Sequence, residues 1–295
     1  MKLLLNNGYL MIVITAVAWS GNAIAARAVH EAVPPIGLAF WRWVATVPIF
    51  LVLAWPHLKR DIPEALANWK ILVVLSVLSV SIYNSFLYIG LNSTTATNSF
   101  LINTSRPVII VILSLIILRL AVTGQQAAGL ALGLVGTAVI VARGDPGVVA
   151  ALDFVPGDLW ILAATLSWAL YTVYLRRRPK IRLASFMFLT AIIGLAVLAP
   201  FYWWEHVYVR PVPLAPETFW AVAYLSVVAS VIAYMAYNRA VEILGPNVAG
   251  LTSYLLPVFG VTLAILLLGE SFRLFHAVGI ALLLTGVYLA TRAKG

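Results

Sequence analysis

Apolar positions in this chain gather into long blocks separated by short polar joints, with neither the alternation of a half-buried strand nor the single stripe of a surface helix. Ten blocks emerge, at residues 9–26, 36–55, 69–90, 95–118, 125–142, 157–175, 183–203, 218–238, 247–268 and 274–291. Each is close to the roughly 20 residues of helix that cross a bilayer's hydrocarbon layer. Helix-boundary residues occupy the joints: Pro34-Pro35, Pro156-Gly157-Asp158 and Gly245-Pro246-Asn247. Lys2, the first apolar block and the small residues Ala23 to Ala28 together have the outline of a secretory signal. Trp19, Ser20 and Asn22 interrupt its apolar centre, so the block is read as a first span.

Composition sharpens this into a class. Of 295 residues, 63% are hydrophobic and 10% charged, with a mean hydropathy of +1.01. A soluble domain carries about 25% charged residues, so the expected fold is an all-α integral membrane protein whose partner is the lipid bilayer, with no separate soluble domain. Cysteine is absent from the sequence, which excludes disulfides, thiolate metal sites and thiol nucleophiles. The net charge of +9 does not point to nucleic acid, because no Lys/Arg run carries the interleaved aromatics of such a groove.

A shift of 150 residues lays the chain on itself. It superposes Leu75-Ser76-Val77 on Leu225-Ser226-Val227, Pro107-Val108 on Pro257-Val258, Gly129 on Gly279 and Gly136 on Gly286. Residues 69–143 match at 16 of 75 positions. The chain therefore divides into residues 1–148 and 149–295, five spans each, and an odd number of spans forces the second copy to enter the membrane from the opposite side. Two inverted five-helix repeats around a central cavity are a common plan of secondary transporters. Basic residues divide 13 to 4 between the two sets of joints, led by Arg176, Arg177, Arg178, Lys180 and Arg182. This bias places both termini in the cytoplasm.

All ten carboxylates and all four histidines fall at or beyond span ends. A titrating mid-membrane acid, the paired groups of a hydrolase and a metal cluster are thus not expected, and an enzyme, a metal site or a cofactor is not anticipated. The spans instead carry uncharged polar faces. Thr15, Trp19 and Asn22 share one, as do Ser76, Ser79 and Tyr83; Thr95, Ser99, Asn103 and Arg106; Ser167, Tyr171 and Tyr174; and Ser226, Ser230, Tyr234 and Tyr237. Serine and threonine there read first as interhelical glue. The bulkier Asn22, Tyr83, Asn103, Tyr171, Tyr234, Tyr237 and Tyr254 read equally well as the lining of a wet cavity. Trp19 and Trp168, inside their spans, would give that cavity flat apolar walls, with Asn98, Ser99 and Asn103 near the substrate.

Pro107 and Pro257 would bend the fourth and ninth spans and act as gating hinges. Arg106 either holds a substrate carboxylate through its fork or braces carbonyls beside Pro107. Arg42 reads as an anchor for a neighbouring helix end. Trp55, Trp69, Trp160, Trp203, Trp204 and Trp220 mark span ends. Gly129, Gly133 and Gly136 with Gly279 and Gly286 predict close helix packing within the protomer.

Three stretches carry a family likeness: "PPIGLAFWRW" with Pro34, Pro35 and Arg42; the run from Leu255 to Leu289 with Pro257, Gly269-Glu270, Gly279 and Gly286; and its echo from Pro107 to Gly136. By these the chain resembles the drug/metabolite transporter superfamily, in particular its EamA-type exporters, over essentially its whole length, and most nearly the YddG-type aromatic amino-acid exporters. Arg119-Leu120 departs from the pattern, standing where a Gly-Glu pair is expected, so a capping role for Glu270 is not assumed twice. The resemblance implies a basket of ten helices and export of amino acids, aromatic and others, across the inner membrane by alternating access. The residues alone leave another small metabolite or a drug open as cargo, and a non-transporting membrane scaffold as the rival.

Overall fold

The computed structural model describes residues 6–94, 96–150, 153–268 and 272–292, which are helical with no strand among them. Thr95, Gly269, Glu270, Lys2 and Lys294, used in the sequence reading, lie outside the described residues. In chain order the main helices are α1 Gly8–Val29, α2 Pro35–Ala67, α3 Trp69–Ser93, α4 Ala96–Thr104, α5 Arg106–Leu118, α6 Gly124–Val141, α7 Pro156–Arg177, α8 Leu183–Tyr208, α9 Pro216–Leu244, α10 Pro246–Gly250, α11 Thr252–Leu268 and α12 Leu274–Arg292.

Eight stretches are long and apolar enough to cross a bilayer: α2, α3, the α4–α5 stretch Asn98–Leu118, α6, α7, α8, α9 and α12. The first and ninth expected spans correspond to α1 and α11. α1 is a continuous helix of 22 residues, Gly8–Val29, and α11 follows a turn at Leu251 and is described over 17 residues, Thr252–Leu268. α2 runs 33 residues through Pro48, Pro56 and Pro63, well past the expected end at residue 55.

Two spans contain a π-helical turn, Val77–Ile82 in α3 and Val227–Ile232 in α9, separated by 150 residues. A π turn adds one residue to the register and loosens backbone carbonyls. Here Ser79 O accepts from Tyr234 Oη (3.0 Å) and Asn84 Nδ2 (2.8 Å), while Ala229 O accepts from Trp19 Nε1 (3.0 Å) and Arg42 Nη2 (3.0 Å). Ser79 and Ala229 are themselves 150 residues apart. Helix contacts repeat in the same way: α3 packs on α7 as α9 packs on α1, and α5 packs on α7 as α11 packs on α1.

The glycine seam forms as expected. A Cβ on Gly129 would lie 2.5 Å from Gly286 O, and one on Gly136 2.8 Å from Gly279 O, so α6 and α12 touch backbone to backbone and run antiparallel. The tryptophans expected at span ends are exposed on the outer surface, Trp55 at 71% and Trp220 at 69%.

Hydrogen bonds tie the helix ends into two faces. One face holds Asn6 with Arg239, His57 with Arg182, and Arg177 with Ile117 O. The other holds Arg210 with Glu31 O, Glu205 with the N–H groups of Ile36 (3.1 Å) and Gly37 (2.6 Å), and Asp158 with Thr94 and Asn98. Asp61, Asp158 and Glu205 are buried, and each accepts a backbone N–H at a helix start, which replaces the water lost on burial.

Candidate functional site: an aromatic plug between two unequal vestibules

The middle of the bundle is filled. Trp168 of α7 is fully buried, with ring centroids at 4.6 Å to Tyr83, 5.0 Å to Trp19, 5.1 Å to Tyr171 and 5.2 Å to both Tyr234 and Tyr237. Five rings from four helices, α1, α3, α7 and α9, thus converge on one indole. The expected open central cavity is corrected here: these rings bury one another, because each presents a flat apolar face to the next at edge-on or tilted angles that their quadrupoles favour. Their hydroxyl groups are satisfied, whereas Trp168 Nε1 is buried with no partner among the described residues. Tyr171 Oη donates to Asn238 Oδ1 (2.7 Å), Tyr237 Oη bonds Thr172 Oγ1 (2.7 Å) and Tyr234 Oη donates to Ser79 O.

Beside the plug lie two guanidinium groups, each without a carboxylate partner among the described residues. Arg42, read as an anchor at a helix end, instead sits fully buried at the centre. Its Nε donates to Ser230 Oγ (2.6 Å), its Nη1 to Asn84 Oδ1 (2.8 Å) and Tyr88 Oη (2.8 Å), and its Nη2 to Ala229 O. Asn22 Oδ1 completes the group, 3.3 Å from Tyr88 Oη. Each guanidinium nitrogen is used, so Arg42 is a satisfied cross-link between α2, α3 and α9.

Arg106 is 2% exposed and opens α5 directly after the break at Ser105. Its Nη2 donates to Tyr83 Oη (3.2 Å) and to Asn103 Oδ1, while its Nε is buried with no partner among the described residues. A fork with a spare donor, stacked 5.3 Å over the Tyr83 ring, retains capacity for an added acceptor. Asn103 also accepts from Thr165 Oγ1 and donates to Ser99 O.

Other expected site residues lie elsewhere. Tyr254 is buried but belongs to the α6–α11–α12 cluster, lying over Gly133 and donating to Leu130 O (2.9 Å). Asn98 sits near a helix end against Asp158 (2.9 Å). Neither touches the plug. The two candidate hinge prolines sit differently in their helices. Pro107 follows a break at Ser105 and occupies the first turn of α5, where its missing N–H costs little, whereas Pro257 lies inside continuous α11, six residues after the turn at Leu251. Thr15, Ser20, Ser76 and Ser79 bond carbonyls of their own helices, the glue reading. Sequence reasoning missed Asn84, Tyr88 and Asn238. The signal was present: Asn84-x-x-x-Tyr88 becomes Tyr234-x-x-x-Asn238 under the 150-residue shift.

Two cavities flank the plug. One, of about 390 Å³, opens on the face of Asn6 and Arg239 and includes Arg176, Lys180, Asn238, Val241 and Glu242 in its lining. The other, of about 10 Å³, has room for roughly one water molecule and includes Ala26, His30, Tyr88, Leu91 and Asn92. Adding 150 to each residue of the second set gives the first set. Asn238 joins the large cavity to the plug through Tyr171, and Tyr88 joins the small one to Arg42.

Comparison with known proteins agrees with this architecture. The model of the EamA-like transporter family matches residues 6–142 and again residues 155–292. An uncharacterized transporter of Archaeoglobus fulgidus is 30% identical over 96% of both chains. The uncharacterized transporter YyaM of Bacillus subtilis is 25% identical over 87% of this chain and 84% of its own. A crystal structure at 21% identity superposes with a TM-score of 0.79 over 96% of each chain, a likeness of fold.

Proposed function

Because the chain belongs to the EamA-like transporter family and is a multi-span membrane transporter, we propose that it exports amino acids, aromatic ones among them, across the inner membrane by alternating access. In this reading residues 1–148 and 149–295 are inverted five-span repeats, ten spans in all, with both termini in the cytoplasm, as the 13 to 4 division of basic residues favours. The observation that carries it is the pair of unequal cavities at positions that exchange under the 150-residue shift. In a duplicated carrier the two halves swap conformations, so a wide vestibule on one face and its collapsed twin on the other describe one end of a cycle.

The plug is the barrier and the binding site at once. A solute ring entering from the wide vestibule takes the place of one aromatic neighbour of Trp168, exchanging one stacked contact for another. Its carboxylate meets the spare donors of Arg106, with Asn103, Ser99 and Tyr83 around it. Trp19, Asn22, Tyr171, Tyr234 and Tyr237 close the remaining sides. Tyr254 and Asn98 then bear on the moving helices rather than on the solute, and Pro107 and Pro257 remain the proposed flexing points. This is the chemistry of a YddG-type exporter.

Release from proteoliposomes loaded with labelled phenylalanine, leucine, glutamate and lysine tests the reading. The expected outcome is release of phenylalanine and leucine that persists when the pH gradient is collapsed. Arg106→Gln should reduce it by roughly 10- to 100-fold, the worth of one hydrogen bond to a charged group. Absence of release for every amino acid of the panel refutes the proposal.

A further inference from the structure

The two vestibules occupy equivalent positions but differ in charge. Where the small one has Ala26, His30 and Asn92, the large one has Arg176, Lys180 and Glu242, and Arg178 joins the lining of the large one. Glu242 does not cancel this surplus, because its carboxylate is already shared between Arg178 (3.2 Å) and Arg239 (2.9 Å). Arg178 is held further by its position 5.5 Å over the Phe186 ring. Arg176 and Lys180 are exposed and paired with no carboxylate among the described residues. Among its described lining residues the small cavity has no Lys or Arg; His30 lies 4.0 Å from Glu31, and Arg210 bonds the His30 carbonyl from outside the lining.

Positive-inside topology explains why this loop is basic. It does not explain why three of the cations, Arg176, Arg178 and Lys180, line a cavity that also includes Asn238, which is bonded to the plug residue Tyr171. Arg177 shows the contrast: it belongs to the same loop, does not line the cavity, and reaches Ile117 O instead. A concave site with low-dielectric walls focuses the field of charges at its rim and concentrates ions of opposite sign. Anything drawn in by Arg176 and Lys180 is delivered to the aromatic barrier and to Arg106 behind it.

We propose that Arg176 and Lys180 form a one-sided electrostatic funnel that selects solutes bearing a free carboxylate at the terminus-bearing face, with no equivalent pair among the described lining residues of the small cavity. The proposal rests on the carrier reading above and names the feature of the solute recognised at entry. A carrier that spends no energy cannot displace the equilibrium of its solute. The asymmetry therefore falls on half-saturation and maximal rate together, with a lower half-saturation concentration at the funnel face.

Proteoliposomes of known protein orientation, assayed from each side, test this with three probes: phenylalanine, N-acetylphenylalanine (carboxylate without ammonium) and phenylalanine methyl ester (ammonium without carboxylate). At low ionic strength the funnel face should half-saturate at a lower concentration of the anionic N-acetylphenylalanine, with zwitterionic phenylalanine shifted in the same direction but less, and the cationic ester should be disfavoured there. Arg176→Gln with Lys180→Gln should raise that concentration by about threefold at that face only, and salt near 0.5 M should erase the difference as the screening length falls below the cavity width. Arg177→Gln should leave it unchanged. If the double variant and Arg177→Gln behave alike, or both faces respond equally, the funnel is refuted while the carrier reading stands. If none of the three probes moves, the amino-acid reading falls and the funnel with it.

Discussion

Replacing Arg42 by lysine should destabilise the protein severely, although charge and approximate length are kept. Arg42 serves four acceptors, Ser230 Oγ, Asn84 Oδ1, Tyr88 Oη and Ala229 O, at 2.6 to 3.0 Å from three different nitrogens. A lysine ammonium donates from a single point and can reach two of these at best, because they are spread around a planar fork. At least two buried acceptors are left unpaired, at about 1–3 kcal/mol each, so the expected loss is about 2–6 kcal/mol. For a chain of this size each kcal/mol moves Tm by about 2–4 °C, and a loss in the middle of the range lowers Tm by about 8–16 °C. Thermal unfolding of purified protein in detergent, followed by the aromatic fluorescence the plug supplies, measures it. A lysine variant melting within 2 °C of the parent would refute the claim that the fork, rather than the charge, holds α2 to α3 and α9.

Three other outcomes follow from the packing. Gly129→Ala places a methyl 2.5 Å from Gly286 O and should cost about 1–3 kcal/mol in the same assay, while Gly124→Ala, with open space around it, should be neutral or slightly stabilising. Trp168→Ala removes the ring at the centre of the plug; it should cost about 3–5 kcal/mol and raise the labelling of a cysteine placed at Tyr171 by a water-soluble thiol reagent. Glu205→Gln keeps the size but can accept through one oxygen only, leaving the N–H of Ile36 or Gly37 without its partner, and should increase labelling of a cysteine at Leu91 from the small-cavity face. Unchanged labelling in either case would show that the contact does not control access.

The helices were legible because the bilayer imposes one length scale on apolar blocks, and the glycine seam because matched small residues have few other uses. The π turns were not, since an extra residue in a helical register leaves no side-chain mark; only the doubled Leu-Ser-Val run pointed to the region. Trp19 and Trp168 were correctly singled out as interior, but sequence gives no measure of the distance between them, and residues equally suited to a wet wall or to mutual burial took the second course. Arg42 reads as a helix-end anchor because arginines in apolar spans commonly snorkel, whereas four acceptors from two helices, α3 and α9, hold it inward. Tyr254 carried the polarity expected of a lining residue, but the bare surface of Gly133 gave it a berth away from the centre.

Backbone contact along α6 and α12 leaves no slack for sliding, so these two rods act as the axle on which any rocking of the remaining helices turns. Spin labels on their outward-facing residues Val135 and Leu284 would then report a constant separation through a transport cycle, a built-in ruler against which labels elsewhere can be read.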